Sequence, residues 1–298
     1  MMEWPQADWL YYRIYLDSYQ RTQVILEEVV RPLSEDFTAQ SGEGNWFFLR
    51  YLDPSGLHVR LRFLGTEDRI SALESRIDAA LDELFDTGAL STPVTGEARI
   101  RVQWGAQDRR GYVKTIYEPE YVKWGGESGL EFAHRCFEAS SRFAIESVDE
   151  GSWTGRPLVA LMTMAASLAL LPHTARSGFA YQYVWYWCGG GRTDPKPVLD
   201  AIRGSADRTA ARIVEGTRNL IDEPRRIEHL GRYLRVLSES IGDRATAASG
   251  RTSAHLLFHH LHLTNNRLGI NPREEALLME ILQRHPDLVS AIADRTAV

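Results

Sequence analysis

Residues Gly44 to Gly65, Gly-Asn-Trp-Phe-Phe-Leu-Arg-Tyr-Leu-Asp-Pro-Ser-Gly-Leu-His-Val-Arg-Leu-Arg-Phe-Leu-Gly, leave the chain little choice of local structure. Asp53-Pro54-Ser55-Gly56 is a turn, because proline presets φ and glycine accepts φ > 0. The runs on either side are rich in aromatic and branched residues and read as the two strands of a hairpin. In the second strand Leu57, Val59, Leu61 and Phe63 alternate with His58, Arg60 and Arg62. A period of two puts the two sets on opposite faces. Alternate residues lie roughly 7 Å apart, so one face carries a row of basic groups, which Arg50 of the first strand extends if the register allows. Charged strand faces are ordinarily solvated. Two arginines and a histidine on a stiff strand also suit a fixed anion site, since guanidinium offers a planar fork of donors to carboxylate or phosphate.

Around this hairpin the order of elements is legible. Trp9 to Leu16 is aromatic and β-rich, a strand. Asp17 and Ser18 offer an N-cap to a helix over Gln20 to Asp36, with Pro32 perturbing its last turns. Thr66 caps a second helix, Glu67 to Phe85, whose apolar residues recur at three and four. Arg99 to Gly105 and Tyr112 to Tyr117 are two further β-type runs. Strand, helix, strand, strand, helix, strand is the ferredoxin-like order, βαββαβ, an antiparallel sheet with helices on one face and the hairpin central in it.

After Gly126 the texture changes. Leu130–Ser147, Pro157–Leu171, Arg176–Trp187, Pro197–Ile221, Pro224–Ile241, Ser253–Asn266 and Arg273–Arg284 suit a 3.6 period, the fourth interrupted near Gly204. Tyr181 to Trp187 also suits a strand. The expected class is α+β, one composite domain with a sheet half at 1–126 and a helical half at 127–298. The 298 residues, 44% hydrophobic and 25% charged, give enough length for a large core. A formal net charge of −6 argues against a bulk grip on nucleic acid. Cys136 and Cys188 have no metal-ligand spacing and look like core positions, which fits a reducing, cytoplasmic compartment. The N-terminus has no signal-peptide pattern, and the longest apolar run, Leu158 to Leu171, is too short to span a bilayer.

Two more stretches carry chemical groups. On a helix His255, His259, His262 and Asn266 share one face. His255 and His259 stand at i and i+4, but without His-Glu-x-x-His or an obvious third ligand no metal is expected. His255, His259 and His260 are expected to pack with their ring nitrogens hydrogen-bonded. Tyr117-Glu-Pro-Glu-Tyr-Val-Lys-Trp-Gly-Gly126 is either a linker with a tight turn or the lining of a cleft between the halves. Gly189 to Gly191 lacks the Lys-Ser or Lys-Thr of a phosphate loop, and there is no Gly-x-Ser-x-Gly elbow.

Taken together, Trp9-Leu-Tyr-Tyr-Arg-Ile-Tyr15, Phe47-Phe-Leu-Arg-Tyr-Leu-Asp-Pro54, Leu57-His-Val-Arg-Leu-Arg-Phe63, Tyr117-Glu-Pro-Glu120 with Lys123-Trp-Gly-Gly126, and His262-Leu-Thr-Asn-Asn-Arg-Leu268 resemble a known family. It is the C-terminal elimination domain of class I lanthipeptide dehydratases, with its stand-alone relatives in thiopeptide pathways. The resemblance implies a lyase that expels glutamate from glutamylated Ser or Thr of a ribosomal precursor peptide, leaving dehydroalanine or dehydrobutyrine. The family's strand arginines fall on Arg60 and Arg62, and its C-terminal histidine on His262. His58, Arg50, Lys123, Asn266 and Arg267 are expected to bind substrate beside them. Where the family carries Arg-Tyr-Gly-Gly this chain has Lys123-Trp124-Gly125-Gly126, which loses the bidentate fork. A relative on the same scaffold, the thiopeptide pyridine synthase, joins two dehydroalanines by a formal [4+2] aza-cycloaddition and expels the leader. A non-catalytic subunit that binds the leader peptide is the third reading. No cofactor is expected. The implied partners are a precursor peptide, leader plus core, and a separate tRNA-dependent glutamylating protein. Direct nucleic-acid or membrane binding is not expected, and a homodimer is left open.

Overall fold

The computed structural model describes residues 7–40, 44–87, 111–147 and 155–296. The chain divides between Pro119 and Glu120 into two compact units. In the first, β1 (Ala7–Leu16), β2 (Asn45–Asp53), β3 (Gly56–Thr66) and β4 (Tyr112–Lys114) form an antiparallel sheet in the order β2-β3-β1-β4. That is the strand order a ferredoxin-like chain produces. The hairpin is not central as a whole, however. β1 pairs with β3 along its full length, so only β3 is interior and β2 lies at the edge among the described residues. The expected strand Arg99 to Gly105 lies outside the described residues.

One sheet face is a dry layer. Leu57, Val59, Leu61 and Phe63 have no exposed surface, and Tyr12 and Ile14 of β1 lie with them. They pack against α1 (Tyr19–Ile25), α2 (Arg31–Ala39) and α3 (Glu67–Asp86). Between α1 and α2 the helix runs as one π segment, Leu26–Val30. Pro32, in the first turn of α2, has no N–H to donate and crowds the carbonyl four residues back, which accounts for the irregular turn before it. Ser18 caps α1 by accepting from the Arg21 N–H. Thr66 stands at the N-cap of α3 but its hydroxyl makes no capping bond, contrary to expectation.

The second unit is helical: α4 (Tyr121–Trp124), α5 (Glu127–Ser147), α6 (Arg156–Ala169), α7 (His173–Trp187), α8 (Lys196–Ile221), α9 (Pro224–Ile241), α10 (Asp243–Ser249), α11 (Ser253–Arg267), α12 (Pro272–Arg284) and α13 (Pro286–Thr296). α6 is apolar around nearly its whole circumference and is correspondingly buried. α8 runs unbroken through Gly204, against expectation. A mid-helix glycine costs only about 1 kcal/mol, and Ile202, Ala206, Ala210, Ile213 and Val214 anchor the helix on both sides of it. Tyr181 to Trp187 is helical, with Tyr183 and Val184 turned inward. No helix among the described residues is long and apolar enough to cross a membrane.

Candidate active site

The other face of the sheet holds the basic row, and it is not a solvated face. His58 has no exposed surface and Arg62 is 5% exposed. Cross-strand register sets their neighbours: Tyr15 and Tyr51 flank His58, Arg13 and Leu49 flank Arg60, and Tyr11 and Phe47 flank Arg62.

His58 is an acceptor rather than a cation. The Arg60 Nε–H can only donate, so His58 Nε2 accepts at 3.1 Å, and Nδ1 carries the proton given to the Gly56 carbonyl at 3.1 Å. Burial pushes the imidazole pKa down to about 4, with the Arg60 charge adding to the shift. His58 therefore orients Arg60 from behind. Arg60 lies over the Tyr51 ring at 3.3 Å and reaches Asp53 Oδ2 at 3.5 Å.

Arg62 sits in an aromatic cage. Its guanidinium carbon is 4.1 Å from the centre of the Tyr11 ring, 4.6 Å from Tyr117 and 5.1 Å from Phe47. Its Nε has no hydrogen-bond partner, and no carboxylate among the described residues pairs with it. Burial pulls its pKa below the usual arginine value.

Arg50 does not extend the row. It pairs with Val59, so its side chain projects from the helix-covered face, where it donates to Thr22 Oγ1 and, at 2.8 Å, to Gln23 Oε1. The residue that joins the row is Arg13, directly opposite Arg60 across β1 and β3, with its Nε donating to Tyr11 Oη at 3.2 Å. Its signal was in the sequence: Trp9, Tyr11, Arg13 and Tyr15 alternate with Leu10, Tyr12, Ile14 and Leu16. Like charges directly opposite destabilise a strand pair, and an anion between them relieves this.

In the helical unit α11 carries the histidines. His255 Nε2 donates to the Lys123 carbonyl at 3.2 Å, and its ring meets His259 edge-on at 4.6 Å. Among the described residues no three His, Cys, Asp or Glu side chains gather as metal ligands. His259 and His260 are both pushed down to about 3, chiefly by burial. The expectation of bonded ring nitrogens fails at His260: its Nε2 has no partner, because the ring is enclosed by Trp124 at 4.7 Å and Phe137 at 6.1 Å.

His262 differs from these. Its Nδ1 lies 2.8 Å from Glu275 Oε1, its ring centre 4.5 Å from Trp187, and its side chain is 27% exposed. Glu275, fully buried on α12, also accepts from the Tyr183 hydroxyl and, at 3.5 Å, from Asn265 Nδ2. Glu275, Tyr183 and Asn265 were not marked by any sequence motif. Of the remaining expected residues, Asn266 is half-buried on α11. Arg267 is buried, with Nε donating to Ser141 Oγ at 2.9 Å and its guanidinium near the Phe137 ring, inside the helix packing rather than at a surface. The Lys123 ammonium pairs with Glu120 at 2.8 Å.

An antiparallel sheet in the ferredoxin-like order, followed in the chain by a helical unit, agrees with the fold that the resemblance implies. Residues 9–285 match the family described as lantibiotic biosynthesis dehydratase C-term, and the chain belongs to that family. No curated protein sequence matches it. Among solved structures it is similar to the tRNA-dependent lantibiotic dehydratase MibB from Microbispora sp. 107891, at 21% identity and a TM-score of 0.58 over 96% of this chain. The chain spans 28% of that protein's length. It is also similar to TbtD, a pyridine synthase from thiomuracin biosynthesis (18% identity, TM-score 0.63, 97% of this chain and 99% of that one). TsrL matches at 16% identity and a TM-score of 0.58, over 98% of this chain and 99% of that one. At these identities the likeness establishes the fold.

Proposed function

We propose that this chain is a lyase acting on a ribosomally made precursor peptide, eliminating glutamate from glutamylated serine or threonine to leave dehydroalanine or dehydrobutyrine. The observation that carries the reading is Arg62: a buried guanidinium, faced by three rings and paired with no carboxylate among the described residues. A buried charge without a counter-charge is costly, and an anionic ligand removes that cost. The departing glutamate is such an anion. Arg60 and Arg13 add donors for its carboxylates. His262 carries the proton taken from Cα, the C–H electron pair becomes the Cα=Cβ bond, and the Cβ–O bond breaks to release a carboxylate. A tRNA-dependent partner supplies the glutamylated peptide.

The near-complete span shared with TbtD favours a second reading, a formal [4+2] aza-cycloaddition of two dehydroalanines with leader expulsion. One experiment separates them. The protein is incubated with a glutamylated precursor and, separately, with a peptide already carrying two dehydroalanines, and mass is followed. Loss of glutamate from the first supports the lyase. Loss of the leader from the second supports the cyclase. Binding with neither change rejects both and leaves a leader-binding subunit.

A further inference from the structure

We propose that Glu275 is a positioning residue that holds His262 with Nδ1 protonated and Nε2 as the proton acceptor, which makes His262 the base of the reaction. The inference deepens the lyase reading and rests on it for the reaction, though not for the tautomer.

The two oxygens of Glu275 have different tasks. Oε2 accepts from the Tyr183 hydroxyl and from Asn265 Nδ2. Burial, then the neighbouring Glu275, holds the Tyr183 hydroxyl well above its ordinary pKa, so it stays a donor. With two donors on it, Oε2 acts as an acceptor. Glu275 also lies in the first turn of α12, at the positive end of the helix dipole. In this arrangement Oε1 is the acceptor and His262 Nδ1, at 2.8 Å, the donor. The lone pair of the neutral ring is then on Nε2. That atom is not among the buried, partnerless ones, and no protein partner occupies it among the described residues. Trp187 packs on the ring at 4.5 Å and limits its rotation.

The chemistry requires this polarity. Glutamate leaves as a carboxylate and needs no proton, whereas the weakly acidic Cα–H needs a base. When Nε2 takes that proton, the imidazolium faces a carboxylate already in place and already desolvated.

The test uses the full chain with 15N-labelled histidine, the His262 signals being assigned by their loss in His262→Ala. Nitrogen shifts of the wild-type ring near pH 8 should show the Nδ1–H tautomer, and Glu275→Gln should show a mixture of tautomers. In the elimination assay Glu275→Gln should lower kcat about 10- to 100-fold, as removal of an orienting partner does, with KM changed less than about twofold. Tyr183→Phe, which keeps the carboxylate and removes one of its donors, should give a smaller fall in the same direction and serves if Glu275→Gln does not fold. An Nε2–H tautomer in the wild type, or tautomer and kcat unchanged in both variants, overturns the proposal. If the wild-type chain eliminates nothing, the lyase reading fails, and the ring spectrum alone still decides whether Glu275 sets the tautomer.

Discussion

Nδ1 of His262 lies 2.8 Å from Oε1 of Glu275, a carboxylate with no exposed surface. α11 and α12 are thereby tied through a polar contact at His262, whose side chain is 27% exposed. His262→Ala should slow elimination roughly 10²- to 10⁴-fold, read as glutamylated peptide persisting by mass. A near-wild-type rate would remove His262 from the site.

Arg62→Lys keeps the charge but replaces a flat guanidinium, which matches three ring faces, with a compact ammonium. At least a tenfold loss in kcat/KM is expected, and Arg60→Ala should let the glutamylated intermediate accumulate. Unchanged turnover in both variants would reject an anion site on this sheet face.

Arg50 offers the contrasting case on the opposite face. Arg50→Met removes its hydrogen bonds to Thr22 and Gln23 and should cost about 1.5–3 kcal/mol of stability. The elimination rate per folded molecule should not change. Urea melts and the mass assay, run on the same preparation, separate the two effects.

Stability should fall on acidification, beginning below the ordinary histidine pKa. The folded chain keeps His58 at about 4 and His259 and His260 at about 3, while the unfolded chain titrates near 6.5. As pH drops, the unfolded state takes up protons that the folded state refuses. The contribution is intact above about 6.5 and is lost as pH falls toward 4 for His58 and toward 3 for His259 and His260, at about 1.4 kcal/mol per pH unit for each ring. Urea midpoints at pH 7.5, 6 and 5 test this. His260→Phe, which removes the partnerless Nε2 from its aromatic enclosure, should reduce the slope.

Gly125→Ala should destabilise the turn after Lys123-Trp124. Gly125 has φ +78°, and an added Cβ would stand 1.9 Å from the Ser249 carbonyl oxygen. Both α4 and α10 would have to shift, so a Tm loss of several degrees is expected. An unaltered Tm would mean the turn is less constrained than its contacts imply.

The hairpin, its two-faced second strand, most helices and the residue types of the site were legible in the sequence. The face that Arg50 takes and the place of Arg13 in the row were not, and His58, placed in the row as a basic group, is kept neutral by burial. Helices α4, α10 and α13 went unmarked, α4 and α10 being too short to show a period. The break expected near Gly204 is absent, because packing on either side outweighs one glycine.

Periodicity and turn chemistry act between near neighbours in the chain, so the alternation of His58, Arg60 and Arg62 against Leu57, Val59 and Leu61 was fixed by local order alone. Pairing acts between elements. The β1–β3 register brought Arg13 opposite Arg60, and the β2–β3 register turned Arg50 to the other face. The packing of α7, α11 and α12 gave His262 a carboxylate that Tyr183 and Asn265 hold in place. Such partners are chosen by how separate elements bury their apolar faces against one another, and that choice exists only once the chain has folded.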